Sequence, residues 1–183
     1  MTSNYPIHTL ESAPERSKPV LQELSTTFGL IPNLAGAMAG SPVLIDAFLG
    51  LFRKVHAGSF SEAQIQALLL TNAVTNACAW AVAFHSMLGL KEGIDPADVQ
   101  AMRERRAPHD AKLAALSGLA RAMIEHRGRV DAGVLARVAE AGFTPAQVLE
   151  AITVVAASTI TNYAGNLTDP PLEAMLREHA WKP

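Results

Sequence analysis

The residues equipped for chemistry concentrate in one stretch, Gln66 to His85, which reads QALLLTNAVTNACAWAVAFH. It holds the only cysteine, Cys78, and a histidine, His85, seven residues further on. Seven residues at roughly 100° each return almost to the starting direction, so on one helix Cys78 and His85 share a stripe with Ala81 between them. The rise between them is about 10 Å, too long for a direct thiol–imidazole hydrogen bond unless water or a ligand bridges it. A papain-like ion pair is therefore not expected. With Asn76 as the helix cap, Cys78 falls in the first turn, where unpaired backbone N–H groups and the helix dipole favour a thiolate. His85 is the proton carrier of the group at neutral pH. Gln66 can position a partner but cannot act as a general base. The plainer readings stand beside these: a lone buried cysteine behaves as a small hydrophobe, and a lone helical histidine as a satisfied core residue.

The spacing of these residues resembles the alkylhydroperoxidase AhpD-like, carboxymuconolactone decarboxylase superfamily. Its signature is a Glu, eleven residues, Cys-x-x-Cys, and a His four residues after the second Cys. Cys78 matches the first cysteine and His85 the histidine, whereas Ala81 replaces the second cysteine and Gln66 stands in place of the Glu. Phe28-Gly29-Leu30-Ile31-Pro32-Asn33-Leu34, Ser41-Pro42, Ala141-Gly142-Phe143 and Thr161-Asn162-Tyr163 look like the peroxidase-related branch, so the resemblance spans residues 25 to 173. It implies an all-α fold of related helical halves, homo-oligomeric assembly, and a small-molecule substrate. It also puts two of four chemical groups in doubt, since a single thiol cannot run the two-cysteine cycle by itself.

Three functions are compatible with this. One is a thiol-dependent peroxidase or oxidoreductase in which Cys78 is oxidised to a sulfenic acid and restored by an external thiol reductant. Another is a lyase or isomerase resembling the lactone decarboxylases, with His85 moving a proton and Gln66 orienting a carbonyl. The third is a non-catalytic helical oligomer that binds a small ligand or a partner protein. Trp80 and Ala81 beside His85, and Asn162 and Tyr163 on the other charge-free segment, are the candidate pocket residues. His56, His109, His126 and His179 form no HExxH-like pair, so no metal is assigned, and no cofactor is expected.

Helices must position these residues, because helix signals recur throughout and no stretch alternates in the manner of strands. Expected helices run from Ala13 to Phe28, over 33–39, from Pro42 to His56, over 62–75, over 77–88, from Pro96 to near Arg105, from Asp110 to His126, from Asp131 to Ala141, from Pro145 through the second charge-free segment, and a last short one opened by Asp169-Pro170. Ser61 with Gln64 forms a capping box flanked by Phe60 and Ile65, and Thr144 with Gln147 repeats it at an offset of 83 residues. About nine or ten helices in one domain, 1–183, are expected.

Composition sets the remaining bounds. Apolar residues make up 49% but aromatics only 5%, and 32 alanines point to closely packed helices. A net charge of −2 argues against nucleic acid as a partner. Residues 63–90 and 151–168 carry no Asp, Glu, Lys or Arg, yet both are studded with Gln, Asn, Ser and Thr. Such polar density is costly in lipid, so they are expected as central helices enclosed by protein rather than as membrane spans. The run Arg103-Glu104-Arg105-Arg106 is expected to be a solvated helix end. With one cysteine and no basic-then-apolar leader at the N-terminus, a cytoplasmic location is expected.

Overall fold

Cap chemistry in the sequence marks where most of the helices begin. The computed structural model describes residues 5–183; the first four, part of the stretch read for a leader, lie outside the described residues. The helices are α1 (Lys18–Phe28), α2 (Asn33–Met38), α3 (Pro42–His56), α4 (Glu62–Thr75), α5 (Ala79–Lys91), α6 (Pro96–Arg103), α7 (Ala111–Glu125), α8 (Ala132–Glu140) and α9 (Pro145–Thr168). Short 3-10 turns at Glu15–Ser17 and Ala174–His179 flank them, and no strand occurs among the described residues. Ser41, Asp95, Asp110 and Asp131 each accept a backbone N–H at the start of a helix. Both capping boxes close: Ser61 and Thr144 accept from the third residue of their helices, and Gln64 and Gln147 reach back to the cap N–H at 3.0 Å.

α4 lies at the centre. Every residue from Ile65 to Val74 is buried, which is why its apolar residues show no one-sided pattern. Ile65, Leu68 and Leu69 face a core shared with α7, α8 and α9, while Ala67, Leu70, Ala73 and Val74 face a second core shared with α1, α2, α3 and α5. Each fully buried Leu or Ile contributes roughly 1.5–3 kcal/mol, so α4 is held from two sides at once.

The chain ends are tied to this frame. His8 N–H donates to Gly36 O at 3.1 Å, and a methyl at Gly36 would stand 2.7 Å from Ile7 Cγ2. Only glycine lets the N-terminal segment lie so close to α2. Glu173 accepts from Asn33 N–H at 2.6 Å and from Trp80 Nε1 at 3.0 Å. Of the run at the end of α6, Glu104, Arg105 and Arg106 are exposed as expected, but Arg103 is half-buried and its guanidinium donates to Ser86 Oγ and to the carbonyls of His179 and Ala180.

Three further expectations are corrected. Asp169 adopts a left-handed conformation that ends α9 instead of opening a helix, and the two prolines after it delay the next turn to Ala174. Asn76 ends α4 rather than capping α5. And α9 is enclosed on one face only: Leu149, Tyr163 and Leu167 are each about two-thirds exposed. No single helix among the described residues is long and apolar enough to cross a membrane.

Candidate active site

The link from α4 to α5 occupies three residues. Asn76 takes the last α4 bonds, Ala77 turns the chain with φ +52°, and Cys78 N–H donates back to Ala73 O at 2.9 Å. Cys78 is thereby the N-cap of α5, one step before the first turn where the sequence had placed it. Cys78 is 1% exposed and its sulfur packs against α9 at Gly165, where an added methyl would come within 2.7 Å of Sγ and 3.8 Å of Leu34 Cδ1. Burial pushes the Cys78 thiol up, against the opposing pull of the Ala81 and Trp80 backbone N–H groups.

A cavity of about 380 Å³ opens where α1, α3, α4, α5 and α9 converge. Leu24, Phe28, Phe48, Phe52 and Phe84 make much of its wall apolar, and Gln66, His85, Ser158 and Thr161 contribute polar atoms. His85 Nδ1 lies 2.9 Å from Gln66 Oε1. A carbonyl oxygen only accepts, so the hydrogen sits on Nδ1 and the Nε2 lone pair is left without a partner among the described residues. Burial, and then the charge of His56, lower the His85 pKa to about 3, so the imidazole is neutral at physiological pH.

The structure thus brings Gln66, Trp80, Ala81 and His85 to one cavity and leaves Cys78 off its wall. The α9 contribution comes from Ala157, Ser158 and Thr161, which share a face. Asn162 and Tyr163, the residues expected there, turn away from it. Asn162 is fully buried and donates to Ser158 Oγ at 3.1 Å, whereas Tyr163 is 64% exposed on the outer face. Trp80 stacks on Phe84 with centroids 4.9 Å apart.

Sequence reasoning passed over His56 and Glu62, which also line the cavity. His56 Nδ1 is 3.0 Å from both carboxylate oxygens of Glu62, and the Phe52 ring packs on the imidazole at 4.4 Å. Glu62 precedes Gln66 by one helical turn, a spacing that signals a shared face. Nothing local signals His56, which is placed by the fold-back between α3 and α4. Among the described residues no group of three or more His, Cys, Asp or Glu is arranged to hold a metal ion.

No family model and no curated protein matches the sequence. Solved structures do. An uncharacterised peroxidase-related protein from Ralstonia eutropha JMP134, described as an alkylhydroperoxidase AhpD core, superposes with TM-score 0.83 at 17% identity over 96% of this chain and 95% of that one. A peroxidase-related protein from Silicibacter sp. TM1040 gives 0.77 at 17% identity, over 94% and 92%. The debrominase Bmp8 gives 0.75 at 19% identity over 90% of each chain, and a variant of it has been solved in complex with 2,3,4-tribromopyrrole. Chain tracing and helix order agree over nearly the whole length despite the low identity, so this protein has the all-α fold of the AhpD-like peroxidase-related proteins.

Proposed function

We propose that the chain is a proton-transfer enzyme of the lyase or isomerase kind. Its substrate is a small, planar, largely apolar molecule with one acidic C–H, N–H or O–H group. His85 Nε2 receives the proton, and Gln66 holds the imidazole in the tautomer that leaves this nitrogen free. The observation that carries the reading is the His85–Gln66 pair on the wall of the apolar cavity, with Cys78 off that wall. The volume falls within the roughly 300–1,000 Å³ typical of small-molecule sites. That a neighbour of the same fold takes 2,3,4-tribromopyrrole, a planar heteroaromatic with one N–H, supports this ligand class. Calorimetric titration with 2,3,4-tribromopyrrole tests it. Binding should weaken at least about tenfold in His85→Ala, the loss of a buried hydrogen bond, and persist in Cys78→Ser. Dependence on the sulfur but not on the imidazole would overturn it.

One observation favours a second reading, a thiol peroxidase served by an external thiol. The backbone N–H groups of Trp80 and Ala81 face the Cys78 sulfur and would stabilise a thiolate. In that reaction the thiolate attacks the O–O bond, leaving a sulfenic acid and releasing an alcohol or water, and the external thiol then reduces the sulfur. It requires peroxide to reach a buried sulfur packed against Gly165. Failure of a sulfenic-acid trap to label Cys78 under peroxide would remove it.

A further inference from the structure

We infer that Phe28 is the specificity-determining residue of this cavity: its ring closes the chamber against a second, smaller hollow and so limits the guest to a single ring without an alkyl tail. The inference rests on the proton-transfer reading above, for which it names the size and shape of the substrate.

The second hollow, of about 160 Å³, adjoins the chamber. Leu30, Met87, Met175 and Leu176 make much of its wall apolar, while Phe28, Phe84 and Leu88 line both spaces, so one layer of side chains divides them. Phe28 ends α1 and Phe84 lies in α5. Their rings meet edge to face, with centroids 5.4 Å apart and planes at 73°. That is ordinary contact for two aromatic rings and leaves no gap for a methylene chain. Phe52 of α3 meets the Phe28 ring at 6.0 Å, so Phe28 bridges α3 and α5.

Of the two dividing rings, Phe84 is the braced one. It stacks on Trp80, whose Nε1 donates to Glu173, and the same carboxylate accepts from the Asn33 N–H. Glu173 also lines the second hollow, so these bonds fix its wall. Phe28 is half-buried and held through ring edges, and α1 ends directly after it at Gly29, whose φ is +78°. Position 28 is thus where the partition can be opened without dismantling its surroundings. The hollow behind it equals about five water volumes, room for roughly four to six carbons of a flexible chain. Met87 and Met175, unbranched and adaptable, suit such a chain. The Phe28 ring keeps that room from the guest.

The test uses the full chain and the series from 4-methylphenol to 4-hexylphenol, titrated calorimetrically. Each methylene buried should tighten binding about fourfold. In the wild type the gain should stop partway along the series. In Phe28→Ala it should run on for at least two more carbons, so that 4-hexylphenol binds at least roughly tenfold tighter than to the wild type. Phe28→Leu, which keeps an aliphatic filler, should extend the gain by at least one carbon and serves if the alanine variant does not fold. Met175→Trp, which fills the second hollow from its own side, should cancel the extension in either variant and leave the wild-type break where it is. An unbroken gain in the wild type, a break that stays put in both position-28 variants, or an extension that survives Met175→Trp overturns the inference. So does wild-type binding of 2,3,4-tribromopyrrole but of none of the phenols, and that result leaves the His85 reading standing. His85→Ala should weaken every member alike without moving the break; a break that moves with Phe28 but no loss in His85→Ala removes the proton-transfer reading and leaves the length limit standing. If the wild type binds neither the phenols nor 2,3,4-tribromopyrrole, both fall together.

Discussion

Gln66 accepts the Nδ1 hydrogen of His85 across 2.9 Å, between two side chains that are both under 10% exposed. The pair is neutral and buried, so its main consequence is orientation, and breaking it strands a polar group. In Gln66→Leu the Nδ1–H loses its only acceptor, which should cost about 1–3 kcal/mol in denaturant unfolding at neutral pH. Gln66→Glu restores an acceptor and adds charge, and should raise the basicity of His85 as read by imidazole nitrogen NMR. Equal stability of Gln66→Leu and wild type would show that the pair is not held in solution.

Acid should unfold the protein partly through this residue. The folded His85 pKa is lowered to about 3 from an ordinary 6.5, so between these values the unfolded chain binds a proton that the folded chain refuses. Stability from this source is complete above pH 6.5 and falls toward pH 3, by roughly 1 kcal/mol for each pH unit. Stability curves of wild type and His85→Gln should accordingly converge as pH drops through that window. Parallel curves would mean that the imidazole is not buried as described.

Cys78 should be a slow thiol. With its sulfur sealed and its pKa raised by burial, alkylation of the native protein near pH 7 should run on the order of a hundredfold slower than in denaturant. A native rate close to the unfolded one would show an open path to the sulfur and shift weight to the peroxidase reading.

A methyl at Gly165 meets the same sulfur at 2.7 Å. Gly→Ala within a helix gains up to about 1 kcal/mol from propensity, but overpacking costs roughly 1–3 kcal/mol. Gly165→Ala should therefore destabilise the wild type and become neutral or stabilising in a Cys78→Ala background. Thermal melts of the four proteins give the coupling directly. Additive effects would contradict the contact.

The helix starts were legible because their determinants are local. Ser61 with Gln64, Thr144 with Gln147, Ser41-Pro42 and Asp95-Pro96 each specify a cap within four residues. The start of α5 was misplaced by two residues because Asn76, a good cap by type, is consumed by the end of α4. Gln66, Ala81 and His85 were found together because one α4–α5 hairpin carries all three. His56 was not, since its relation to Glu62 exists only after α3 and α4 fold against each other. Tyr163 was misread because charge-free sequence does not say which side of α9 the core will claim; residues 157, 158 and 161 face inward and 163 outward.

Position 165 acts as a spacer gauge between two walls. α9 contributes Ala157, Ser158 and Thr161 to the chamber, α5 contributes Trp80, Ala81 and Phe84, and the two helices meet where bare backbone rests on sulfur. The bore available to a guest is thus set about one helical turn beyond the chamber wall, by an atom group that is missing. Bulk added at that hinge of contact would pry the walls apart instead of filling the space between them, so the calibre can drift without any change in the residues a guest touches.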